Sequence, residues 1–324
     1  MPELKDLSVV VPLYNEEESL PELINWISRV MQKHGFTYEI ILVDDGSTDR
    51  SWEVVKALGN ENGAVKGVKF NRNYGKSAAL DTGFKLAQAE VVITMDADLQ
   101  DSPDEIPELY RMIKEEKYDL VSGWKQKRYD PLSKTIPSKF FNYVNSKISG
   151  IKLHDFNCGL KAYRYEVVKN ISIYGEMHRY IPVIAKWNGF KKIGEKVVEH
   201  RARKYGVTKF GLERFIFGFL DLLSVTFVSR FKKSPMHFFG TLGTLSFLLG
   251  SIITVVIIAN KLIKIYRGEL ARSVTEQPLF FLALVAIIIG TQLFLVGFLA
   301  ELMIMVTGRR KGEYLITEKV GVVD

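Results

Sequence analysis

Cysteine is nearly absent from this 324-residue chain, and the single Cys158 excludes an intrachain disulfide and any multi-cysteine zinc site. It reads as a small buried side chain. No G-x-G-x-x-G occurs, which disfavours a dehydrogenase. Gly75-Lys76-Ser77 looks like the end of a phosphate-binding P-loop, but Phe70 stands where its first glycine must be, which removes ATPase chemistry. The apolar stretch in the N-terminal MPELKDLSVVVPLYNEE is too short for a signal-peptide core and runs straight into charge, so nothing is expected to export the first domain. Residues 1–210 have the character of a soluble domain, and the long apolar runs are concentrated in residues 212–308. No motif for DNA or RNA recognition is present, so nucleic acid is not an expected partner.

Two stretches contain no Asp, Glu, Lys or Arg, Met236 to Asn260 and Pro278 to Ala300, and each is long enough to cross a hydrocarbon core about 30 Å thick. The expected organisation is a catalytic domain over 1–210, an interfacial helix and linker over 211–235, a transmembrane hairpin over 236–308 with spans near 236–260 and 278–304, and a tail over 309–324. Phe215 to Ser229 is apolar but short and interrupted by Asp221, which suits a helix lying in the lipid interface. The formal net charge is +7, with the excess between Arg201 and Lys233 and at Arg309, Arg310 and Lys311. Basic residues beside apolar spans face cytoplasm and anionic headgroups. Lys261, Lys264, Arg267 and Arg272 in the intervening loop offset this bias in part, and the catalytic domain and both termini are expected to be cytoplasmic at a cell membrane.

From the start of the chain, short β-branched runs alternate with helical patterns: LSVVVPL, YEIILVD, VKGVKF, EVVITMD and YDLVSG are separated by helices over about 17–33, 49–58, 76–88 and 103–115. Such alternation argues for βαβ units and a mostly parallel sheet. Ligands bind such sheets at the carboxyl ends of the strands, and acidic residues fall there. MDADLQD puts Asp96 and Asp98 directly after a strand, and two carboxylates with one spacer can meet one hard cation such as Mg²⁺ or Mn²⁺ bridging to substrate phosphates. VDDGSTD ends another strand; Asp44 or Asp45 can accept from a base N–H or a ribose hydroxyl, and Asp49 suits a helix cap. In VVPLYNEEESL, Tyr14 can stack on a base, while Asn15 suits a cap and Glu17 and Glu18 the positive end of a helix. Lys76, at the start of its helix, is placed to reach a substrate phosphate. The loop 122–139, rich in Lys, Ser and Pro, is expected near the acceptor.

Taken in order, VVPLYNEEESL, VDDGSTD, RNYGKSAAL, DADLQDSPDEIP and HDFNCGLKAYRYEV resemble glycosyltransferase family 2, in the branch of dolichol-phosphate mannosyltransferases and bacterial polyprenyl-phosphate glycosyltransferases. The resemblance spans roughly residues 7–210 and extends to the C-terminal hairpin. It implies a GT-A fold, Rossmann-like with a mostly parallel sheet, and a nucleotide-sugar donor, UDP- or GDP-hexose with glucose or mannose foremost. It also implies that Pro12, Tyr14, Glu16, Asp44 and Asp45 form the nucleoside pocket, and that Asp96, Asp98 and Gln100 form the metal and diphosphate site. Asp155, in HDFNCG, matches a position near sugar and acceptor and is expected to be a catalytic or acceptor-orienting acid. The Q-x-x-R-W pattern of processive synthases of this family is missing, so a single transfer is expected.

The acceptor implied is a polyprenyl phosphate, whose second ionisation near pH 6 leaves the nucleophilic oxygen largely deprotonated at neutral pH. Direct displacement would invert the anomeric centre. Arg201, Arg203 and Lys209, just before the interfacial segment, suit an acceptor-phosphate clamp or attraction to anionic lipid; Arg128 and Arg179 are further candidates, Arg179 because MHRYIP resembles a family segment. Two other readings stay open: a glycolipid hydroxyl as acceptor, which would require Asp155 to act as a true base, and a non-catalytic nucleotide-sugar-binding membrane protein. The sequence leaves the oligomeric state open, a homo-oligomer included.

Overall fold

In the computed structural model, the residues described are 4–126, 142–143, 145–147, 149–201, 204, 235–307 and 316–321. The chain forms two units, one of Met1–Thr226 with Glu313–Asp324 and one of Phe227–Gly312. In the first unit, β1 (Lys5–Leu13), β2 (Tyr38–Asp44), β3 (Val65–Phe70), β4 (Ala89–Thr94), β5 (Leu120–Trp124), β6 (Lys161–Arg164), β7 (Ile193–Val197) and β8 (Ile316–Val320) make one eight-stranded sheet in the order β7-β5-β6-β4-β1-β2-β3-β8. The β4-β1-β2-β3 stretch is parallel throughout, β6 runs antiparallel to both β4 and β5, and β5 pairs with β7 in parallel.

The central strands read as continuous apolar runs because both faces are covered. Val9, Val10 and Val11, Ile40 to Val43 and Val91 to Ile93 are fully buried. One face packs on α1 (Leu20–His34), α2 (Ser51–Glu61) and α4 (Ile106–Lys114), through Leu23, Ile27, Trp52 and Leu109; the other packs on α3 (Lys76–Leu86) and the 151–185 region, through Phe84, Phe156, Tyr163 and Tyr180;. β2 and β3 lie to one side of β1 and β4 to the other, so the strand order reverses at β1, and the crevice beyond its carboxyl end is the place where an open sheet accepts a ligand.

The C-terminal strand β8 closes the β3 edge in antiparallel register, Gly67 opposite Val320 and Phe70 opposite Ile316. Pattern reading assigned this stretch to a tail without an element. The five short runs expected as strands all form, whereas β6, β7 and β8 come from stretches too short or too polar to declare themselves.

The second unit is a hairpin of two long helices, Pro235–Tyr266 and Pro278–Thr307, of 32 and 30 residues. Its outward surface is apolar: Leu245, Ile252, Val255 and Leu282 are each about 60 % exposed. Such a surface suits lipid and not a soluble core. The seam between the helices is built from small residues, as helix pairs in lipid require. A Cβ on Gly243 would lie 2.6 Å from the Gly290 carbonyl oxygen, and one on Gly290 would lie 2.5 Å from the Phe247 nitrogen. Ser246 adds a bond to the Ala286 carbonyl at 2.9 Å. The interfacial helix expected at 215–229 lies outside the described residues.

Candidate active site

The loops after β1 and β2 are knitted to one another. Asn15, at φ 56°, donates its backbone N–H to Ser47 Oγ at 2.9 Å, and its side-chain oxygen accepts the Thr48 N–H at 2.9 Å. Glu16 N–H donates to Ser51 Oγ, Glu17 N–H to Asp49, and Arg50 N–H to Glu17. Asn15 therefore does not cap a helix: α1 begins five residues later, after Ser19, and the Asn15 amide has been spent on bridging two loops. Asp49 has a structural role, its Oδ1 accepting the Ser51 N–H at 3.0 Å at the start of α2, although the cap position itself is Arg50 and not Asp49 as expected. Pro12, Tyr14 and Glu16 remain half-buried on the open side.

Asp44 and Asp45 lie deeper, at 0 % and 5 % exposure. Asp45 accepts the Tyr74 and Gly75 N–H groups at 2.7 and 2.9 Å, tying the β2 tip to the start of α3. Burial pushes its carboxyl up to about 6 against those two hydrogen bonds, with Asp44 adding to the rise. Asp44 Oδ1 accepts the Ser47 N–H at 2.8 Å, and among the described residues Oδ2 has no hydrogen-bond partner. Burial also raises Asp44 above the usual carboxylate range.

The turn after β4 is arranged differently. Asp96, Asp98 and Gln100 are half-buried and alternate with buried Ala97 and Leu99, so three oxygen-bearing side chains share the open side of one short stretch. Leu99 sits at φ 60°, a region a non-glycine residue seldom occupies and one that recurs at functional turns. Lys76 forms a salt bridge with Asp96 from the first residue of α3. Burial acts to raise the Asp96 carboxyl, but Lys76, Lys125 and Lys161 outweigh it and hold it at about 2. The 155–159 loop closes on the same carboxylate: a Cβ on Gly159 would stand 2.6 Å from the Asp96 carboxyl carbon. Only glycine allows that approach.

Asp155 is 1 % exposed; its Oδ1 accepts the Asn157 N–H at 3.0 Å and its own N–H donates to Glu195 at 3.0 Å. Lys161, which pattern reading missed, is 3 % exposed on β6 and its ammonium donates to the Cys158 carbonyl. Burial lowers it below the usual lysine range, countered by Cys158, Asp155 and Asp96. Lys76, Asp96, Asn157, Lys161 and His178 line one small cavity under the strand ends, so residues from α3, β4 and the 155–161 segment come together. Nothing in the spacing of a lone lysine on a four-residue strand marked Lys161; burial did.

Behind the turn, Asp101 is buried and pairs with Lys125 at 2.8 Å, with His200 Nδ1 at 3.9 Å. Arg179 pairs with Glu176 at 3.2 Å. The Arg201 guanidinium lies 4.4 Å over the Trp26 ring and bonds Glu199 at 3.2 Å. Arg128, Arg203 and Lys209 lie outside the described residues, as does most of the loop expected near the acceptor.

Among the described residues, no group of three or more acidic, histidine or cysteine side chains is placed to hold an ion. A cation at the Asp96–Gln100 turn would take two carboxylates and the Gln100 amide oxygen and complete its shell with ligand and water oxygens, as Mg²⁺ does at phosphate-binding sites. The all-oxygen donor set and the ammonium already drawn to Asp96 fit a hard cation.

Residues 8–172 match the model of the family described as "Glycosyl transferase family 2". The chain belongs to glycosyl transferase family 2. Within the family it is 38 % identical over 300 residues to the dodecaprenyl-phosphate galacturonate synthase of Rhizobium johnstonii, covering 92 % of this chain and 87 % of that one. It is 35 % identical over 262 residues to the undecaprenyl-phosphate 4-deoxy-4-formamido-L-arabinose transferase of Yersinia pestis, covering 80 % and 78 %. Among solved structures, the fold resembles glucosyl-3-phosphoglycerate synthase of Mycobacterium tuberculosis, in complex with Mn²⁺ and UDP-glucose, with a TM-score of 0.53 at 20 % identity over 70 % of this chain and 79 % of that one. At that identity the likeness speaks for the GT-A-like fold. The sugars named in the first two relatives are a galacturonate and a formamido-arabinose, neither of them glucose or mannose.

Proposed function

We propose that this family 2 enzyme transfers a glycosyl group from a nucleotide-diphosphate sugar to a polyprenyl monophosphate at a membrane surface, with inversion at the anomeric carbon. The observation that carries the reading is the half-buried Asp96–Asp98–Gln100 turn at the strand-order reversal, closed upon by the Gly159 loop, in a chain that carries an apolar hairpin. The polyprenyl-phosphate relatives support the acceptor. Their sugars widen the donor from glucose and mannose to uronic and amino sugars. An even number of crossings returns the chain to the side it left, and the pairing of β8 with β3 supports a catalytic domain and C-terminus on one side, which the flanking basic residues favour as cytoplasmic.

In this reading Pro12, Tyr14 and Glu16 line the nucleoside side, with the buried Asp44 and Asp45 behind them. Asp96, Asp98 and Gln100 would hold Mg²⁺ or Mn²⁺, which would supply charge stabilisation for the departing diphosphate. Lys76, freed from Asp96, turns to a phosphate oxygen. The acceptor phosphate is already ionised at neutral pH and needs no strong base. Asp155 then serves by holding the 155–159 loop in place and aligning the acceptor, since alignment with the anomeric carbon is what remains to be provided.

The test is the purified full chain in lipid nanodiscs with Mg²⁺ or Mn²⁺, undecaprenyl phosphate and a panel of UDP- and GDP-sugars that includes uronic and amino sugars. Mass spectrometry should find one polyprenyl-phosphate sugar; no glycolipid with any donor would defeat the proposal.

A further inference from the structure

The segment running from β7 towards the membrane hairpin lies across the back of the metal-binding turn. Lys196 pairs with Glu105, and Glu199 N–H donates to the other Glu105 oxygen at 3.0 Å. His200 forms an antiparallel bridge with Asp101, and Arg201 N–H donates to the Gln100 carbonyl at 2.9 Å. In return the Gln100 side-chain amide donates Nε2 to the Arg201 carbonyl at 3.4 Å. The far side of the segment is fastened to α1: the Arg201 guanidinium covers the Trp26 ring, and Lys204 pairs with Glu22 at 2.6 Å. Trp26 is itself fixed by its indole N–H on Asp104 at 3.1 Å. Residues 196–201, with Lys204 beyond them, thus serve as a strap, and its underside is the stretch from Gln100 to Glu105.

The Gln100 contact has a chemical consequence. A side-chain amide presents either its oxygen or its nitrogen, and only the oxygen can ligate a cation. With Nε2 committed to the strap carbonyl, Oε1 is the atom left for the open side. Outer partners that orient a ligand in this way are part of a metal site. The position of that carbonyl is set in part by the Arg201 stack on Trp26, which adds to the Arg201 bond to Gln100, the Val198 N–H bond to the Trp124 carbonyl and the Lys204–Glu22 pair.

We propose that Arg201 is a positioning residue for the metal turn, acting through its stack on Trp26 and its backbone bonds to Gln100, and not a ligand of the acceptor phosphate. This rests on the proposed use of Asp96, Asp98 and Gln100 for the cation.

The test compares Trp26→Ala, Arg201→Ala and Arg201→Lys with the wild-type full chain, measuring Mn²⁺ binding by electron paramagnetic resonance with UDP or GDP present, and the KM for undecaprenyl phosphate. Each variant should weaken Mn²⁺ binding by about tenfold or more, and the Trp26→Ala/Arg201→Ala double variant should be no worse than the poorer single one. Arg201→Lys keeps the charge and loses the planar stack, so it should fail to rescue. Arg201 is 46 % exposed, so Arg201→Lys is expected to fold. Unchanged Mn²⁺ binding in Arg201→Lys, or a raised acceptor KM in Arg201→Ala that Lys restores, would overturn the inference alone. A wild-type chain that binds no Mn²⁺ with either nucleotide would overturn both this inference and the metal assignment beneath it.

Discussion

The acidic pairs at the tips of β2 and β4 flank the same strand, β1, and meet opposite environments. Asp44 and Asp45 are buried among backbone N–H groups, and loss of water raises both, Asp45 to about 6. Asp96 faces the same loss of water but stands among Lys76, Lys125 and Lys161, which hold it at about 2. The contrast teaches that the charge of a strand-tip carboxylate is set by which cations the fold brings to it from distant segments. The β2 pair is suited to accept hydrogen bonds from N–H groups, whereas Asp96 beyond β4 is held as an anion by its lysines.

The largest expected break in that comparison is Asp98→Ala. Turnover should fall by about 10²–10³-fold or more, as for loss of a principal source of electrostatic stabilisation, with an unchanged circular dichroism spectrum. Full activity would remove the metal assignment. Asp45→Asn should leave one of the Tyr74 and Gly75 N–H groups without its acceptor, costing about 1–3 kcal/mol of stability, read as a lower melting temperature. Its pH dependence has a definite sign. A carboxyl raised on folding binds more protons in the native state, so its contribution is fully present below pH 3.8 and is lost as pH rises through about 6. The stability of the wild type relative to Asp45→Asn should therefore decline between about pH 4 and 6 and level off above that, and a flat difference would show the carboxyl to be unperturbed.

A finer probe is Gly159→Ala. The new methyl presses on the Asp96 carboxylate, and the KM for donor should rise by about tenfold with little change in melting temperature; a donor KM equal to the wild type would mean the loop does not close on the site. The smallest effect is expected from deleting Glu313–Asp324, which uncovers the β3 edge. Melting temperature should drop slightly and Mn²⁺ binding should persist, whereas loss of Mn²⁺ binding would tie that edge to the site.

Much of the fold was legible because the central strands are covered on both faces and show as unbroken runs, LSVVVPL and YEIILVD above all. The D-x-D turn was legible because its acids follow such a run directly. What escaped was tertiary. Lys161 sits on a strand too short to register, and its importance comes from burial beside Cys158 and the acids. Arg201 carries the right charge for a phosphate, but its ring partner Trp26 lies far away in sequence, and no local pattern announces a stack across that distance. Asn15 looked like a cap because its side chain suits one; the fold used the same hydrogen-bonding capacity between two loops.

The division of labour between the two acidic pairs can be measured through Mn²⁺ bound to the full chain at saturating nucleotide diphosphate, followed by electron paramagnetic resonance. Asp98→Asn should lose the protein-bound Mn²⁺ signal, while Asp45→Asn should keep it. Retention of the signal by Asp98→Asn, or its disappearance in Asp45→Asn at saturating nucleotide, would contradict the account.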